Sequence, residues 1–478
     1  MQVQRSNIHL YADPKRVILN FFNQGVIADS KRAQSLINRV LDIPEDKLAV
    51  LLDEVKIAFN HRHHFFEEFL LYHASLVQEG VPQFEQLSNH RKQLLGAYFT
   101  KEYSIQAAAL FNPSIVVHPN QDGLKIGQKR FLYTLRSVGE GHISSIEFRS
   151  GIIDQEGHIE LEVVSPFSTT CRKKLDKSYI ASEVEKRMHV LPDFNPKILQ
   201  ELPSTFSIID YNRLKSKHTF DKYDESSQKH LDTYLDTNYD VDALPNTSLS
   251  ERVIFPNARQ ESKGMEDVRL VAFQAEDQIQ YIGTYTAYDG LSISPQLIIT
   301  KDFQHFEVRT MYGAAVNDKG MALFPEKVNG QYVMLGRQGG TNISIMYSDN
   351  LFEWNDYEKL IGPEEDWGLV QLGNCGAPIR TEAGWLVITH GVGPLRKYVL
   401  GAILLDLEDP SKIIRKLRQP LLGPNEVERE GYVPNVVYSC GSLIHAGKLL
   451  IPYALSDSAT TFATVDVVDL IARMELQN

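Results

Sequence analysis

The sequence predicts a mainly β protein: a five-bladed β-propeller with an α-helical N-terminal region and a long insertion after the first blade hairpin. Three observations carry that expectation. Apolar residues change from helical to strand spacing near residue 105, hairpin signals recur at a near-constant interval, and a charged stretch interrupts the first of those intervals.

The helical part comes first. From about residue 14 to 100 apolar residues recur at helical spacing, as in Val17, Ile18, Phe21 and Phe22 and in Leu48, Leu51, Leu52, Val55 and Phe59, which predicts four or five amphipathic helices within 1–104. The run Asn60-His61-Arg62-His63-His64 would point around most of a helix circumference, so it reads as solvated or packing residues rather than metal ligands.

The β part, 105–478, is built on hairpins. Asn329-Gly330, between Phe324–Val328 and Gln331–Leu335, is the clearest, because Asn-Gly is the strongest two-residue hairpin turn. Ala383-Gly384 and Ala446-Gly447 repeat the plan, and earlier copies turn at Gly127-Gln128 and Asp277-Gln278. Turn positions 127, 277, 330, 384 and 447 lie 150, 53, 54 and 63 residues apart. The three short intervals are slightly stretched propeller-blade periods, whereas a sandwich places turn signals every 8–12 residues without such a super-period. The long interval holds one blade plus an insertion over about 155–250, charged and partly helical around Lys177–Met188 and Glu225–Thr237.

Composition narrows the partners. Among 478 residues, 61 acids face 49 bases for a net charge of −12, with no Lys/Arg-rich run, so neither nucleic acid nor an anionic membrane is expected as a partner. No stretch approaches a membrane helix and the start lacks a signal-peptide core, which predicts a cytoplasmic protein. Cys171, Cys375 and Cys440 are odd in number and widely spaced; neither a disulfide framework nor a metal site is expected.

Inner strands of a propeller converge on one axis, so polar residues at matching strand ends share a pocket. Gly264-Met-Glu-Asp-Val-Arg269 offers two adjacent carboxylates and an arginine before the β run Leu270–Phe273. Strict strand alternation would send Glu266 and Asp267 to opposite faces and put Asp267 and Arg269 on the same one. Lys319, Arg337, His390 and Asp457 stand at corresponding places in later blades. Each alone is a common surface residue; together they suit a polyhydroxylated or phosphorylated ligand.

With these motifs in view, the region from about 105 to 470 resembles glycoside hydrolase family 130, five-bladed propellers that act on β-mannosides as inverting phosphorylases or hydrolases. The resemblance rests on Asn112-Pro-Ser114, Gly264–Arg269, Leu323–Val328, Gly376–Trp385 with His390-Gly-Val392, Tyr398–Ser411 and Gly431–Tyr438. It implies that Asp267 is the general acid, protonating the glycosidic oxygen through a hydroxyl of the bound mannose. An acid must be protonated at working pH, so burial should raise its pKa against the pull of Arg269. The resemblance also places Asn112, Arg136, His390, Tyr398 and Asp457 around the sugar at the cleaved bond. Lys319 and Arg337 match two of the basic residues that grip phosphate in the phosphorylases. Gln371 stands where a lysine would be the third, and Gly320, Val268 and Gln338 also depart from the phosphorylase pattern.

A weakened phosphate grip favours water as the nucleophile. The expected activity is therefore an inverting exo-acting β-mannosidase on β-1,2-linked manno-oligosaccharides. The alternatives are a β-mannoside phosphorylase, with inorganic phosphate as co-substrate, and a non-catalytic sugar-binding propeller. No metal or organic cofactor is expected, and the helical region is a candidate for homo-oligomerisation or for capping the pocket. Inverting hydrolysis needs a carboxylate base ~6.5–9.5 Å from the acid. Glu326 is the first candidate, with Glu364, Glu365 and Asp366 behind it.

Overall fold

A computed structural model describes residues 2–22, 31–276 and 278–477. It is mainly β, with five antiparallel ladders following one another along the chain, the first two continuous through one parallel pair, Gly264 with Ser144. The first pairs Ala109–Val117, Lys129–Val138, Ser144–Ile153 and Ile159–Leu161. The second pairs Gly264–Ala275, Gln278–Tyr288, Ile293–Thr300 and His305–Thr310. Ala322–Leu323, Tyr332–Gly336, Ile343–Ser348 and Glu358–Ile361 make the third. In the fourth, Gln371–Asn374 and Ile379–Thr381 both pair with Gly384–Val392, followed by Tyr398–Leu405, Ile413–Lys416 and Glu475–Leu476. The fifth runs from Val437–Tyr438 and Leu443–His445 through Lys448–Leu455 and Ala459–Asp466 to Gln4–Arg5.

Local chemistry explains the turns. Asn329 (φ 50°) and Gly330 (φ 84°) are both left-handed, the requirement of the tight turn whose twist matches paired strands. Ala446 and Gly447 repeat that conformation. Asp277, half of another expected turn, lies outside the described residues.

Each sheet packs on the next through its own apolar seam, and the last returns to the first. Leu132 and Ile146 meet Leu270 and Tyr285; Phe273 and Leu297 meet Met334 and Met346; Val333 and Ile345 meet Trp385 and Val387; Leu386 and Leu400 meet Leu449 and Tyr453; Phe131 and Tyr133 meet Leu450 and Phe462. Burying side chains of this size stabilises by ~1.5–3 kcal/mol each. Hydrogen bonds cross the seams near the strand ends, as in Leu270 N to Ser114 Oγ (2.9 Å) and Cys440 N to the Pro113 carbonyl (2.9 Å).

The N-terminal residues form helices Lys31–Leu41, Glu45–Phe59, Phe66–Ser75 and Asn89–Tyr98. One expectation is corrected here. Val17–Phe21 is a strand paired with Thr100–Ser104, not a helix. Val17, Ile18 and Leu19 are all buried, so both strand faces are covered and the apolar run shows no alternation that would distinguish it from a helix. The segment 1–104 is also not purely helical, since Gln4–Arg5 completes the fifth sheet and the Arg16 guanidinium donates to Glu147 (3.1 Å) in the first. His63 and His64 pair with Glu102 (2.8 Å) and Glu251 (2.9 Å), a packing role.

Ile159–Leu161 belongs to the first sheet because its backbone pairs with Gly151–Ile153, so the added structure starts later than residue 155. It carries helices Ala181–Met188, Ile208–Ser216 and Glu225–Thr237 around a core of Tyr179, Phe206, Tyr211, Phe220, Leu231 and Leu235. Asp240–Asp242 ties it to the edge of the second sheet.

Candidate active site

Two matched irregularities create the site. In the second sheet Glu266 pairs with Thr286 but Arg269 with Thr284, so two residues oppose one and the strand bulges at Asp267, which is left-handed (φ 55°). In the first sheet Phe111 pairs with Arg136 and Ser114 with Thr134, and Asn112 (φ 50°) bulges in the same way. Asn and Asp are the side-chain-bearing residues that best tolerate this conformation.

The bulge overturns strict alternation, because Glu266 and Asp267 both reach one guanidinium. Arg136 Nη2 donates to Glu266 Oε1 (2.6 Å) and Nη1 to Asp267 Oδ1 (3.3 Å), with the guanidinium over the Phe111 ring at 5.1 Å. Asn112 Nδ2 donates to Asp267 Oδ1 (2.7 Å), and Lys319 Nζ donates to Glu266 Oε2 (2.9 Å). Arg269 reaches only the Asp267 backbone carbonyl (3.4 Å), while its Nη2 donates to Tyr438 Oη (2.5 Å).

His390 forms the opposite wall. It stacks on Tyr398 (centroids 5.9 Å, 8°) and meets Tyr438 edge-on (4.9 Å). Gly373 pairs with it across the sheet, and a Cβ there would lie 2.3 Å from the imidazole Cε1, so no larger residue fits. Burial, then the charges of Arg337 and Arg269, hold this imidazole well below its ordinary pKa, so it is neutral. Gln371 Nε2 donates to His390 Nε2 (3.2 Å), which leaves the ring proton on Nδ1, facing Cys375 Sγ (3.7 Å).

Arg337 has Asp318 at 3.8 Å. The buried Nε atoms of Arg136, Arg269 and Arg337, with Asn112 Oδ1 and Asn374 Oδ1, have no hydrogen-bond partner among the described residues. Unpaired buried donors and acceptors cost free energy, and here they gather around the two carboxylates.

The two aspartates titrate in opposite directions. Burial opposes ionisation of Asp267, but Arg136, then Arg269, the Asn112 amide and Lys319 overcome it and hold the carboxyl below its usual range. The expectation of a raised pKa at Asp267 is corrected accordingly: the arginine pair outweighs desolvation. Asp457, in a left-handed turn (φ 52°), is the group that is raised, from the ordinary 3.8 to about 6, by burial and then by the charge of Asp267. The folded state therefore holds a proton that the unfolded chain releases, and the stability it contributes is lost as pH rises from about 4 through about 6. Asp457→Asn should melt above wild type, by an advantage that grows with pH and levels off near 3 kcal/mol above about pH 7. Thermal unfolding of both proteins from pH 5 to 8 checks this, and parallel curves would sink it.

The structure does not bring Glu326 to this cluster. It is 37% exposed by side chain and pairs with Arg380 (3.5 Å). Pro325, the residue before it, accepts from the Gln274 N–H (2.7 Å), seven residues beyond Asp267 on the strand Gly264–Ala275, so at ~3.3 Å per strand residue Glu326 lies toward the far end of that sheet. Glu364 is paired with Lys416, and Glu365 with Lys416 (3.2 Å) and Arg418 (2.9 Å). Sequence reasoning missed Glu266 and Tyr438 as site residues, although both stand in the motifs quoted for the resemblance.

Carboxylates gripped by one guanidinium, with several further polar groups around them, suit a substrate rich in both donors and acceptors, and the family match makes this a glycoside-active enzyme. The chain belongs to glycoside hydrolase family 130: the family model described as beta-1,4-mannooligosaccharide phosphorylase matches residues 194–476. It is 36% identical over 225 residues to a 1,2-beta-oligomannan phosphorylase of Thermoanaerobacter sp., covering 46% of this chain and 75% of that one. A beta-1,2-mannobiose phosphorylase of Listeria innocua is 31% identical over 233 residues, 47% of this chain and 64% of its own. The solved Listeria innocua beta-1,2-mannobiose phosphorylase, in complex with beta-1,2-mannobiose, superposes with a TM-score of 0.47 at 20% identity, covering 78% of this chain and 93% of that one.

Proposed function

We propose that this chain is an inverting β-mannoside phosphorylase that acts on β-1,2-linked manno-oligosaccharides, its five sheets serving as the blades of one propeller around the site. This replaces hydrolysis, the activity expected from Gln371, with its alternative. The observation that carries the reading is the charge around the pocket. Glu326, Glu364 and Glu365 pair with Arg380, Lys416 and Arg418, whereas four cations, Lys319, Arg337, Arg269 and Arg136, converge on the cluster, where Glu266, Asp267 and, 3.8 Å from Arg337, Asp318 face them. An anion is thereby favoured over a water that needs a base. The names of the two relatives point the same way.

In this reading a phosphate oxygen, held by Arg337 and Lys319, attacks the anomeric carbon as the glycosidic bond breaks. The proton passes from Asp267 through a sugar hydroxyl to the leaving oxygen. Asp267 is ionised in the free site, and a phosphate dianion placed beside it raises its pKa, so phosphate binding and acid loading are coupled. The products are α-mannose 1-phosphate and the shortened chain.

Incubation with β-1,2-mannobiose, with and without phosphate, tests the proposal. Mannose 1-phosphate is expected only with phosphate; equal mannose release without phosphate, and no sugar phosphate, would overturn it. One observation favours hydrolysis instead, the neutral Gln371–His390 pair where a third cation would stand. If phosphate is the nucleophile, Gln371→Lys should lower its KM about tenfold, the equivalent of one charge-assisted hydrogen bond. An unchanged or higher KM for phosphate in that variant would place residue 371 outside phosphate contact.

A further inference from the structure

The chain carries a net charge of −12, yet one cleft that shares no residue with the carboxylate cluster is basic. It opens between the added structure and the turn Arg259–Glu261, and its volume of about 480 Å³ falls in the range of small-molecule sites. Lys173, Lys215, Lys229 and Arg259 line it, against Asp232 and Asp236. Helical spacing brings these groups together. On Glu225–Thr237, Lys229, Asp232 and Asp236 share one face, and on Ile208–Ser216 Asn212 and Lys215 do. The remaining wall is fixed from behind. The buried Glu261 carboxylate accepts from Tyr239 Oη (2.9 Å), Tyr285 Oη (2.5 Å) and the N–H groups of Asn257 (2.9 Å) and Ala258 (3.0 Å). That holds the Arg259–Gln260 backbone in place before any ligand arrives.

The charges in the cleft are unequally satisfied. Lys215 Nζ donates to both oxygens of Asp232 (2.6 and 2.7 Å), and Tyr211 Oη donates to the same carboxylate (2.7 Å). Asp236 accepts from the Arg259 backbone N–H (2.8 Å) and lies 3.9 Å from Lys173 Nζ. Both carboxylates are thus engaged, while the Lys229 ammonium and the Arg259 guanidinium have no hydrogen bond or ion pair among the described residues. Lys173 Nζ sits over the Tyr239 ring (4.7 Å), and burial lowers its pKa, so a nearby anion strengthens its charged form. A dianion complements these three cations. The Asn212 and Gln260 amides beside them suit hydroxyls, and Leu175, 57% exposed, offers an apolar contact to a sugar ring. The one aromatic among the lining residues, Tyr211, is buried, so no ring face is offered to a nucleobase.

We propose that this cleft binds a hexose monophosphate, at a site separate from the central pocket. The inference stands whichever nucleophile the central pocket uses. Calorimetric titration of the full chain with mannose 6-phosphate tests it. Lys229→Ala should weaken binding about tenfold, and Lys229→Ala with Arg259→Ala about a hundredfold, the equivalent of one and two charge-assisted hydrogen bonds. Both side chains are exposed, so the fold survives their removal, which the ligand-free melting temperature checks. Arg337→Ala, a change in the central pocket, should bind mannose 6-phosphate within about twofold of wild type. Mannose and inorganic phosphate, titrated into Arg337→Ala, should each bind about tenfold more weakly than the sugar phosphate, or worse. No binding of mannose 6-phosphate, a loss that falls on Arg337→Ala and spares the double variant, or equal affinity for inorganic phosphate would overturn the site.

Discussion

Asp267→Asn is expected to lower kcat by about three orders of magnitude while leaving affinity for β-1,2-mannobiose within a few-fold of wild type. Positioned general acids contribute ~10²–10⁴ in rate, and an amide of the same shape offers no acidic proton. The amide oxygen still accepts from Asn112, 2.7 Å away in the wild-type protein, so the bulge and the sugar contacts survive. Steady-state kinetics together with calorimetric binding of mannobiose separate the two quantities. Residual turnover within tenfold of wild type would remove Asp267 from the proton path.

Arg136→Ala is expected to cost about 3–5 kcal/mol of stability at pH 7, the range found when one partner of a buried ion pair is deleted. Among the described residues Arg136 alone ion-pairs with both Glu266 and Asp267. Without it two largely buried carboxylates face each other with only Lys319, Asn112 and Arg269 in compensation. Asp267 is held below its usual pKa chiefly by Arg136, so the variant's Asp267 titrates higher, and the gap between wild type and variant narrows as pH falls. Adding Glu266→Gln to Arg136→Ala should recover part of the loss, whereas Glu266→Gln alone should destabilise. Urea unfolding of the four proteins measures the coupling; a loss below 1 kcal/mol in Arg136→Ala, or simple additivity, would show that the guanidinium does not hold the carboxylates together.

The site was legible in the sequence only in part, and the divide is physical. Asp267, Lys319, Arg337, His390 and Asp457 could be named because each stands at a strand end, and Asn112, Arg136, Gln371 and Tyr398 because the family resemblance implies a place for them in the pocket. Their partners could not. Strict alternation would separate Glu266 from Asp267, and a one-residue bulge joins them, because the decisive quantity is a pairing register between strands. Glu326 is likewise paired with Arg380 and set beside the Gln274 end of the second sheet, a placement that closeness along the chain to Lys319 does not show. Val17–Phe21 was misread because burial on both faces erases the period that separates strand from helix.

By itself, then, the sequence determined the texture of the chain: hairpins turned at Asn329-Gly330 and Ala446-Gly447, apolar strands, a charged addition to the first repeat, and a family signature written in local motifs; the turn expected at Ala383-Gly384 falls one residue earlier, on Glu382-Ala383, because Thr381 pairs with Gly384. Those features depend on backbone preferences and on residues a few positions apart. Only the tertiary structure decided the protonation of the site. Asp267 and Asp457 are the same residue type at similar left-handed turns, yet one is held ionised and the other pushed up to about 6, because Arg136 and Arg269 converge on the first while the second is buried beside a negative charge. Electrostatic energy depends on distance and solvent exposure, and neither exists until the sheets have closed on one another.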